Sequence, residues 1–506
     1  MNKHLLLAAS LLATGTTCSA SDDIGPSPLE APNGALMAAW TQITGNASQP
    51  GELAGLVRFA VAGNGGQSAC NQFEISTNTS SIPAITARKN VATSEFPVTV
   101  CEAIANPAWT TISITSNGKA AYLWAPDGNT PTLKATLPTL HAVGRHPRGT
   151  LQMLSVGDTG CRDNSDQSCA STDTWPFEFL SAAAAAEEPD FVMHVGDYRY
   201  SNKGTNDTWE YWYQEFFYPA RELLLAAPWA MVRGNHETCG YHSTENLPAP
   251  WGTGWFYFLQ HNDAANSVHC HTGGTAPYQE PWLFDVGIHG AQGTFSGSHR
   301  IIVMDSSTDT PATQQTDNFV SMIKASTAST SSWWTGHRPI WGINPYSPVS
   351  TLETDLDQSL TTALKASGSN QNCWADTGLP CSLKAVISGH IHNLERVQFF
   401  GNGSQASVWQ RPMQYVSGNS GVVLTPTMNT SPCSFTVPGT APQIYGPNLS
   451  AMVDWENKFG FTLWTRDTSG TEQSGWQETR YFYENGTMST SAPPKLDGDT
   501  PAPTCS

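Results

Sequence analysis

Residues 191–200 read FVMHVGDYRY, an apolar run that stops at Gly196 and is followed at once by the acidic Asp197. Four further apolar runs end on a polar side chain in the same way: 151–156 before Gly157-Asp158, 230–232 before Gly234-Asn235, 300–304 before Asp305, and 385–387 before Gly389-His390. Short apolar runs bounded by turn residues favour buried strands. Polar groups at the ends of such strands predict one site at the carboxyl edge of a sheet.

Helices are predicted between these strands, over 175–188, where alanines precede Pro189, and over 317–327. Strands that alternate with helices indicate an α/β fold of layered sheets and helices. Residues 30–140 differ, because short β-prone runs are divided there by Gly, Pro, Asn and Ser. We therefore predict a signal peptide over 1–20, a small all-β, sandwich-like domain over 21–145, and an α/β domain over 149–506 with a strand-rich C-terminal extension.

Composition narrows the classes of partner and the compartment. The chain has 506 residues, 13% of them charged, and a formal net charge of −18, which argues against nucleic acid or an anionic membrane surface as partner. Any affinity for anions must come from metals or a few local cations. A basic start, the apolar run 5–13 and the small residues 18–20 predict an export signal too short to span a bilayer, so we expect a secreted or periplasmic protein without a membrane span. A lipoprotein anchored at Cys18 is the alternative, for which Thr17 fits poorly.

Cysteine usage agrees with export. Of 11 cysteines, Cys18 lies in the predicted signal, and an even ten remain. Sequence alone leaves the connectivity open, and pairing of neighbours predicts 70–101, 161–169, 239–270, 373–381 and 433–505. An alternative for one group is a zinc site built from Cys239, His242, His269, Cys270 and His271.

The polar residues at the strand ends have the chemistry of metal ligands. These are Asp158, Asp197, Asn235, His337, His390 and His392. Carboxylate, amide oxygen and imidazole together suit iron, manganese or zinc, and one carboxylate can bridge two such ions. Tyr200 adds a phenol, a poor ligand unless a highly charged cation removes its proton, and so it indicates a trivalent ion, most simply ferric iron.

Five segments in order, GDTG (157–160), GDYRY (196–200), GNHE (234–237), TGHRP (335–339) and GHIH (389–392), resemble those of the calcineurin-like metallophosphoesterases. The tyrosine in GDYRY makes the chain similar to the purple acid phosphatases within that superfamily. The resemblance implies that Asp158, Tyr200 and His392 hold Fe³⁺, that Asn235, His337 and His390 hold a divalent Fe, Zn or Mn ion, and that Asp197 bridges them. It also implies that His236 contacts the phosphate or the leaving group. As an imidazolium, His236 is expected to protonate the departing alkoxide, and Glu237 is predicted to orient it, as carboxylates often do for histidines.

The function implied by this resemblance is hydrolysis of small phosphomonoesters by a secreted, dinuclear acid phosphatase. One alternative is a phosphodiesterase or nucleotidase with the same metal core. Another is a non-catalytic exported protein whose β domain contacts a glycan or a surface. The chain departs from plant-type relatives in having no histidine over 338–346, and Arg199, Arg338 and Tyr346 are the predicted substitutes for substrate binding.

Overall fold

The computed structural model describes residues 26–126, 131–145, 150–162, 167–200, 207–239, 252–266, 268, 270, 278–289, 295–307, 313–344, 351–352, 356–369, 374, 379–401, 411–426, 435–436, 449–467 and 476–491. Its strands are β1 (Leu36–Asn46), β2 (Leu53–Ala62), β3 (Glu74–Thr77), β4 (Thr86–Ala87), β5 (Val98–Ala105), β6 (Ile112–Ser116), β7 (Lys119–Ala120), β8 (Thr136–Leu137), β9 (Thr150–Val156), β10 (Phe191–His194), β11 (Trp229–Met231), β12 (Trp282–His289), β13 (Phe295–Val303), β14 (Ser332–Thr335), β15 (Ile343–Asn344), β16 (Thr351–Leu352), β17 (Leu383–Ser388), β18 (Leu394–Gly401), β19 (Met413–Ser417), β20 (Phe435–Thr436), β21 (Leu449–Glu456), β22 (Gly460–Asp467), β23 (Trp476–Glu484) and β24 (Thr487–Ser491).

Its α-helices are α1 (Gln67–Cys70), α2 (Phe177–Ala186), α3 (Trp209–Trp212), α4 (Arg221–Ala226), α5 (Thr253–Phe258), α6 (Thr313–Thr327) and α7 (Asp357–Ser367). A π-helical turn covers Tyr213–Phe217, and 3₁₀ turns cover Pro28–Glu30, Leu140–Ala142, Asn235–Glu237 and Ala264–Asn266. The two helices predicted from sequence are thus confirmed as α2 and α6.

Two large sheets carry the polar strand ends. One has the order β24-β23-β22-β9-β10-β11-β1-β2-β5-β4, and the other β12-β13-β14-β17-β19-β18-β21-β20. The strands β9, β10 and β11 run parallel in the first sheet, as do β13, β14, β17 and β19 in the second. Parallel neighbours bring their carboxyl ends to the same edge, so each sheet gathers its polar residues at one edge.

Apolar side chains from both sheets meet in one core. Leu151, Met153, Phe191 and Met193 of the first sheet belong to the same buried cluster as Phe284, Ile301, Trp333 and Ile387 of the second. The opposite face of the first sheet packs on α2 and α4 through a second cluster that includes Leu154, Val192, Leu180 and Leu223. The opposite face of the second sheet packs on α6 and α7 through a third that includes Ile302, Val386, Phe319 and Leu360. The layers are therefore helix, sheet, sheet and helix, which confirms the predicted α/β class.

The N-terminal region is β-rich, as predicted, and it is continuous with the first large sheet. Strand β1 pairs in parallel with β11 at Gln42 and Trp229, and β2, β5 and β4 follow it. A small separate sheet, β3-β6-β7 with β8 beside β6, contributes Ile75 and Ile112 to the core between the sheets. The sequence did not anticipate this continuity.

Three predicted disulfides are present: Cys70–Cys101, Cys161–Cys169 and Cys239–Cys270. Cys381 is disulfide-bonded as well, while Cys373, Cys433 and Cys505 lie outside the described residues, as does the predicted signal over 1–20. Within the described part of the chain, no helix is long and apolar enough to cross a membrane.

Candidate metal centre

Every predicted metal ligand lies just beyond the end of a parallel strand or in the loop that follows it. Asp158 follows β9, Asp197 and Tyr200 follow β10, and Asn235 follows β11, all in the first sheet. His337 follows β14, and His390 and His392 follow β17, in the second sheet. The two sheets face each other, so their polar edges supply donors to one site from both sides.

Backbone geometry at these strand ends is unusual. Asp158, Asp197 and His390 adopt left-handed conformations with φ of 53°, 57° and 73°. Such conformations cost free energy in residues other than glycine and tend to occur at functional sites. The preceding glycines leave the necessary room, because a Cβ on Gly389 would overlap the Asp158 carboxylate and a Cβ on Gly196, itself at φ 102°, would meet the His337 ring at 2.5 Å.

Four of the side chains form a first group of donors, centred on the phenol of Tyr200. Its Oη lies 2.7 Å from Asp158 Oδ1, 2.6 Å from Asp197 Oδ2 and 3.0 Å from His392 Nε2. The ring is 1% exposed, so this oxygen faces the other donors and not solvent. The first group therefore consists of Asp158, Asp197, Tyr200 and His392.

A second group is centred on the amide oxygen of Asn235. Asn235 Oδ1 lies 2.7 Å from His337 Nε2 and 2.9 Å from His390 Nδ1. His337 Nε2 is also 3.3 Å from Asp197 Oδ2, the same oxygen that Tyr200 contacts. Asp197 therefore belongs to both groups and links them.

These donor sets fit a pair of metal ions. Adjacent ligands of an octahedral ion with bonds of about 2.1 Å are about 3.0 Å apart, close to the contacts of 2.6–3.6 Å found within the two groups. One atom each from Asp158, Asp197 and His337 lies within 4.8 Å of the other two. The donors are carboxylate, amide, phenol and imidazole, which suit iron, manganese or zinc.

The buried carboxylates of the site are stabilised by nearby positive charge. Burial raises the pKa of Asp158 to about 8, with the charge of Asp197 adding to the shift. Burial alone would lower the pKa of His337, but Asp197 and Asp158 raise it to about 9. Two buried carboxylates thus draw protons onto the site, a role that metal cations would take over.

Hydrogen bonds at the far ring nitrogen orient two of the histidines. His337 Nδ1 is 2.9 Å from the Val195 carbonyl, and His392 Nδ1 is 3.1 Å from that of Val423. A carbonyl only accepts, so Nδ1 carries a proton in each ring, and Nε2 is the nitrogen that faces the other ligand atoms and would bind a metal.

Two buried glutamates support the donor loops. Glu237 accepts hydrogen bonds from the backbone N–H groups of Asp197, Tyr198 and Gly234 at 3.0–3.1 Å. These hydrogen bonds join the β10 and β11 loops, a role different from the predicted one of orienting His236. Glu215, in the π-helical turn, accepts from Cys161 N at 2.9 Å and Tyr200 N at 2.6 Å. No sequence motif marks Glu215, and only the structure shows that it lies in a π-turn, a feature that often accompanies functional sites.

Another polar strand end plays a different part. Asp305 follows β13, and its carboxylate pairs with Arg233 at 3.1 Å and accepts from Gln279 N at 2.8 Å. The next residue, Ser306, accepts from the backbone of Arg338 at 3.0 Å. This loop braces its neighbours and adds no donor to the two groups.

His236 and the predicted substrate-binding residues occupy distinct positions. His236 packs on Tyr200 with 4.1 Å between ring centroids, and its backbone N–H donates to Asp197 Oδ1 at 2.9 Å. Arg338 is half-buried, with Nη1 3.0 Å from His390 Nε2. Arg199 is buried and forms an ion pair with Asp207 at 3.1 Å, while Tyr346 lies outside the described residues.

The alternative prediction of a zinc site with Cys239 and Cys270 as ligands is wrong. Cys239 and Cys270 form a disulfide, so neither offers a thiolate to a metal. His242, His269 and His271 lie outside the described residues.

Residues 154–394 match the calcineurin-like phosphoesterase family, a range that contains all seven clustered donors. No curated protein matches the chain. A solved structure of PhoD is 11% identical with a TM-score of 0.41, and the alignment covers 90% of this chain and 88% of that one. A dimetal phosphatase from Danio rerio is 11% identical with a TM-score of 0.31, and the alignment covers 67% of this chain and 98% of that one.

Proposed function

We propose that the protein is an exported dinuclear acid phosphatase that hydrolyses small phosphomonoesters. The match of residues 154–394 to the calcineurin-like phosphoesterase family supports the proposal at the level of the superfamily. The observation that carries the proposal is the pair of donor groups that share one oxygen of Asp197. Two cations joined by one carboxylate is the arrangement used for hydrolysis of phosphate esters.

The donor chemistry differs between the two groups. Asp158, Tyr200 and His392, with Asp197, would hold Fe³⁺, because a phenol becomes a good ligand only beside a highly charged cation. Asn235, His337 and His390, with Asp197, would hold a divalent iron, zinc or manganese ion. When bound, the pair would neutralise the phosphate and activate water for attack on phosphorus.

His236 would supply the proton for the departing oxygen. Burial lowers its pKa to about 3, with Asp197 opposing the shift, so the ring is neutral in the free protein near neutral pH. A phosphate dianion beside the ring would favour the imidazolium form, which can donate the proton. Loss of such a group commonly slows catalysis by about 10²–10⁴-fold.

Export is part of the proposal because of the cysteines. Disulfides persist in oxidising compartments, and three are present among the described residues. N-terminal sequencing of secreted material would test it, with a new N-terminus near residue 21 as the expected result.

Metal analysis with visible spectroscopy and a substrate panel tests the activity. Purified protein should contain iron and a second metal and be coloured by charge transfer from tyrosinate to iron. Tyr200→Phe should abolish the colour, whereas the control Tyr257→Phe should keep it, because Tyr257 donates to Val98 O in the core. Asp197→Asn should abolish hydrolysis.

The panel compares an aryl monophosphate with its bis-aryl diester. Faster cleavage of the monoester supports the proposal, and faster cleavage of the diester would favour the phosphodiesterase alternative. A colourless, iron-free, active enzyme would contradict the ferric assignment alone. No hydrolysis by metal-loaded wild-type protein would contradict the proposed function as a whole.

A further inference from the structure

A protein with a net charge of −18 has no long-range attraction for a phosphate ester. Selection of a dianionic substrate over a monoanionic one therefore depends on cations close to the site. Bound metals would already attract a dianion more strongly than a monoanion, and a side-chain cation at the same site would add to that discrimination. Arg199 is committed to a buried ion pair with Asp207, which directs attention to other arginines near the donors.

Arg162 lies beside the first donor group, four residues beyond Asp158. Its guanidinium carbon is 5.3 Å from the centroid of the Tyr200 ring, the ring on which His236 also packs. The residue is partly exposed, so a ligand from solvent can reach it. No ion-pair partner for its guanidinium is found among the described residues.

The backbone that carries Arg162 is held firmly. Its N–H donates to Gln167 Oε1 at 2.8 Å. The preceding Cys161 is bonded to Cys169 and donates its N–H to Glu215, the carboxylate that also fixes Tyr200. A side chain that reaches solvent from an anchored backbone is suited to binding, because little further ordering is required.

The Tyr200 ring beneath Arg162 contacts both histidines of this side of the site. Its centroid is 4.1 Å from that of His236 and 5.5 Å from that of His392. An anion that binds beside these rings would therefore interact with the guanidinium at short range.

We propose that Arg162 binds a non-bridging oxygen of the substrate phosphate and so favours the dianionic monoester over the monoanionic diester. This inference rests on the proposed function. Arginine suits the task because its planar N–H groups match phosphate oxygens and keep their charge in acid. A diester carries one negative charge fewer, so its binding to the protein should weaken less when the arginine is removed.

The test uses metal-loaded, full-length Arg162→Ala and Arg162→Lys proteins. Arg162→Ala should raise KM for an aryl monophosphate and the inhibition constant of inorganic phosphate by roughly ten- to hundred-fold. The bis-aryl diester should be affected only a few-fold, so the ratio of kcat/KM for monoester to diester should fall about ten-fold. Arg162→Lys should restore part of the loss, and metal content should stay at the wild-type level.

Arg145→Ala is the matched control, because it removes one positive charge from an exposed arginine whose guanidinium is hydrogen-bonded, within the described part of the chain, to His141. Arg145→Ala should leave KM, kcat/KM and the inhibition constant of phosphate at their wild-type values. Equal loss on monoester and diester in Arg162→Ala, or loss of bound metal, would overturn the inference, since either result would make Arg162 a support of the site.

Calorimetric titration with inorganic phosphate separates this inference from the proposed function. If wild-type protein hydrolyses no ester but binds phosphate more tightly than Arg162→Ala, the role of Arg162 as an anion ligand stands although the function fails. If both proteins bind phosphate equally, the inference fails whatever the activity.

Discussion

Glu237 offers the sharpest test of how the donor loops are held. Its two carboxylate oxygens accept three backbone hydrogen bonds, from Asp197 and Gly234 at Oε2 and from Tyr198 at Oε1. Three N–H groups on two oxygens use both oxygens as acceptors, an arrangement that favours the ionised carboxylate. Burial and the charge of Asp197 raise the pKa of Glu237 to about 8, so cations bound nearby should be needed to keep it ionised near neutral pH.

The substitution Glu237→Gln replaces one acceptor oxygen with an NH₂ group. The least damaging orientation keeps the amide oxygen at the Oε2 position and turns the NH₂ toward the N–H of Tyr198. One buried N–H then loses its partner, at a cost of about 1–3 kcal/mol. Because the loop carries Asp197, we expect metal affinity to fall roughly 10–100-fold.

Equilibrium dialysis against graded chelator measures the metal affinity, and thermal melting of the metal-loaded protein measures stability. Glu237→Ala should lower metal affinity and melting temperature more than Glu237→Gln does, since all three N–H groups then lack a hydrogen-bond acceptor. Glu222→Gln is the control, because Glu222 is exposed on α4. Wild-type affinity and melting in Glu237→Gln would refute the reasoning and show that the carboxyl keeps its proton in the loaded protein.

Three further outcomes are expected. Burial raises the pKa of Asp190 to about 7, above an unfolded value near 3.9. Between these values the unfolded chain binds fewer protons than the folded chain, so the free energy of unfolding should fall by at most about 4 kcal/mol as pH rises from about 4 to about 7. Denaturant titrations should show a weaker dependence of this free energy on pH in Asp190→Asn than in the wild type. Gly389→Ala would push a methyl group into the Asp158 carboxylate, and elemental analysis should find less bound metal, with unchanged content as the contrary result. Glu102→Ala would remove the buried partner of Arg58, 3.0 Å away, and should destabilise the fold by about 3–5 kcal/mol in the same titrations. A loss below about 1 kcal/mol would mean that the backbone carbonyls around Arg58 are enough to stabilise its buried charge.

Much of the donor set was predictable because it is local. An apolar run, a glycine and a short polar side chain are adjacent in sequence, and the same adjacency places the side chain at a strand end, as at Gly196-Asp197 and Gly389-His390. The three disulfides followed from pairing neighbours 8 or 31 residues apart. The match over 154–394 is consistent with the resemblance at the level of the superfamily.

Long-range polar partners were not predictable in the same way. Arg58 lies within a β-strand and could be taken for a surface residue, yet it is 0% exposed and donates to carbonyls that follow α5, including Gln260 O at 2.7 Å. Arg199 was a predicted substrate ligand because it lies between two donors in sequence, but its side chain pairs with Asp207. In both cases the partner depends on which distant segment packs against the arginine, and the hydrophobic periodicity of the sequence does not show which segment that is.

The amino-acid sequence by itself determined the types, order and strand-end positions of the metal donors, because each depends on a few adjacent residues and on backbone preferences that act locally. Only the tertiary structure decided how those donors divide into two groups around Asp197, that the N-terminal strands continue the sheet through β1 and β11, and that Arg162 lies over Tyr200. These are contacts between segments far apart in the chain. They form when two sheets bury a common core, and the free energy that selects them belongs to the packing of the whole molecule and not to any one stretch of it.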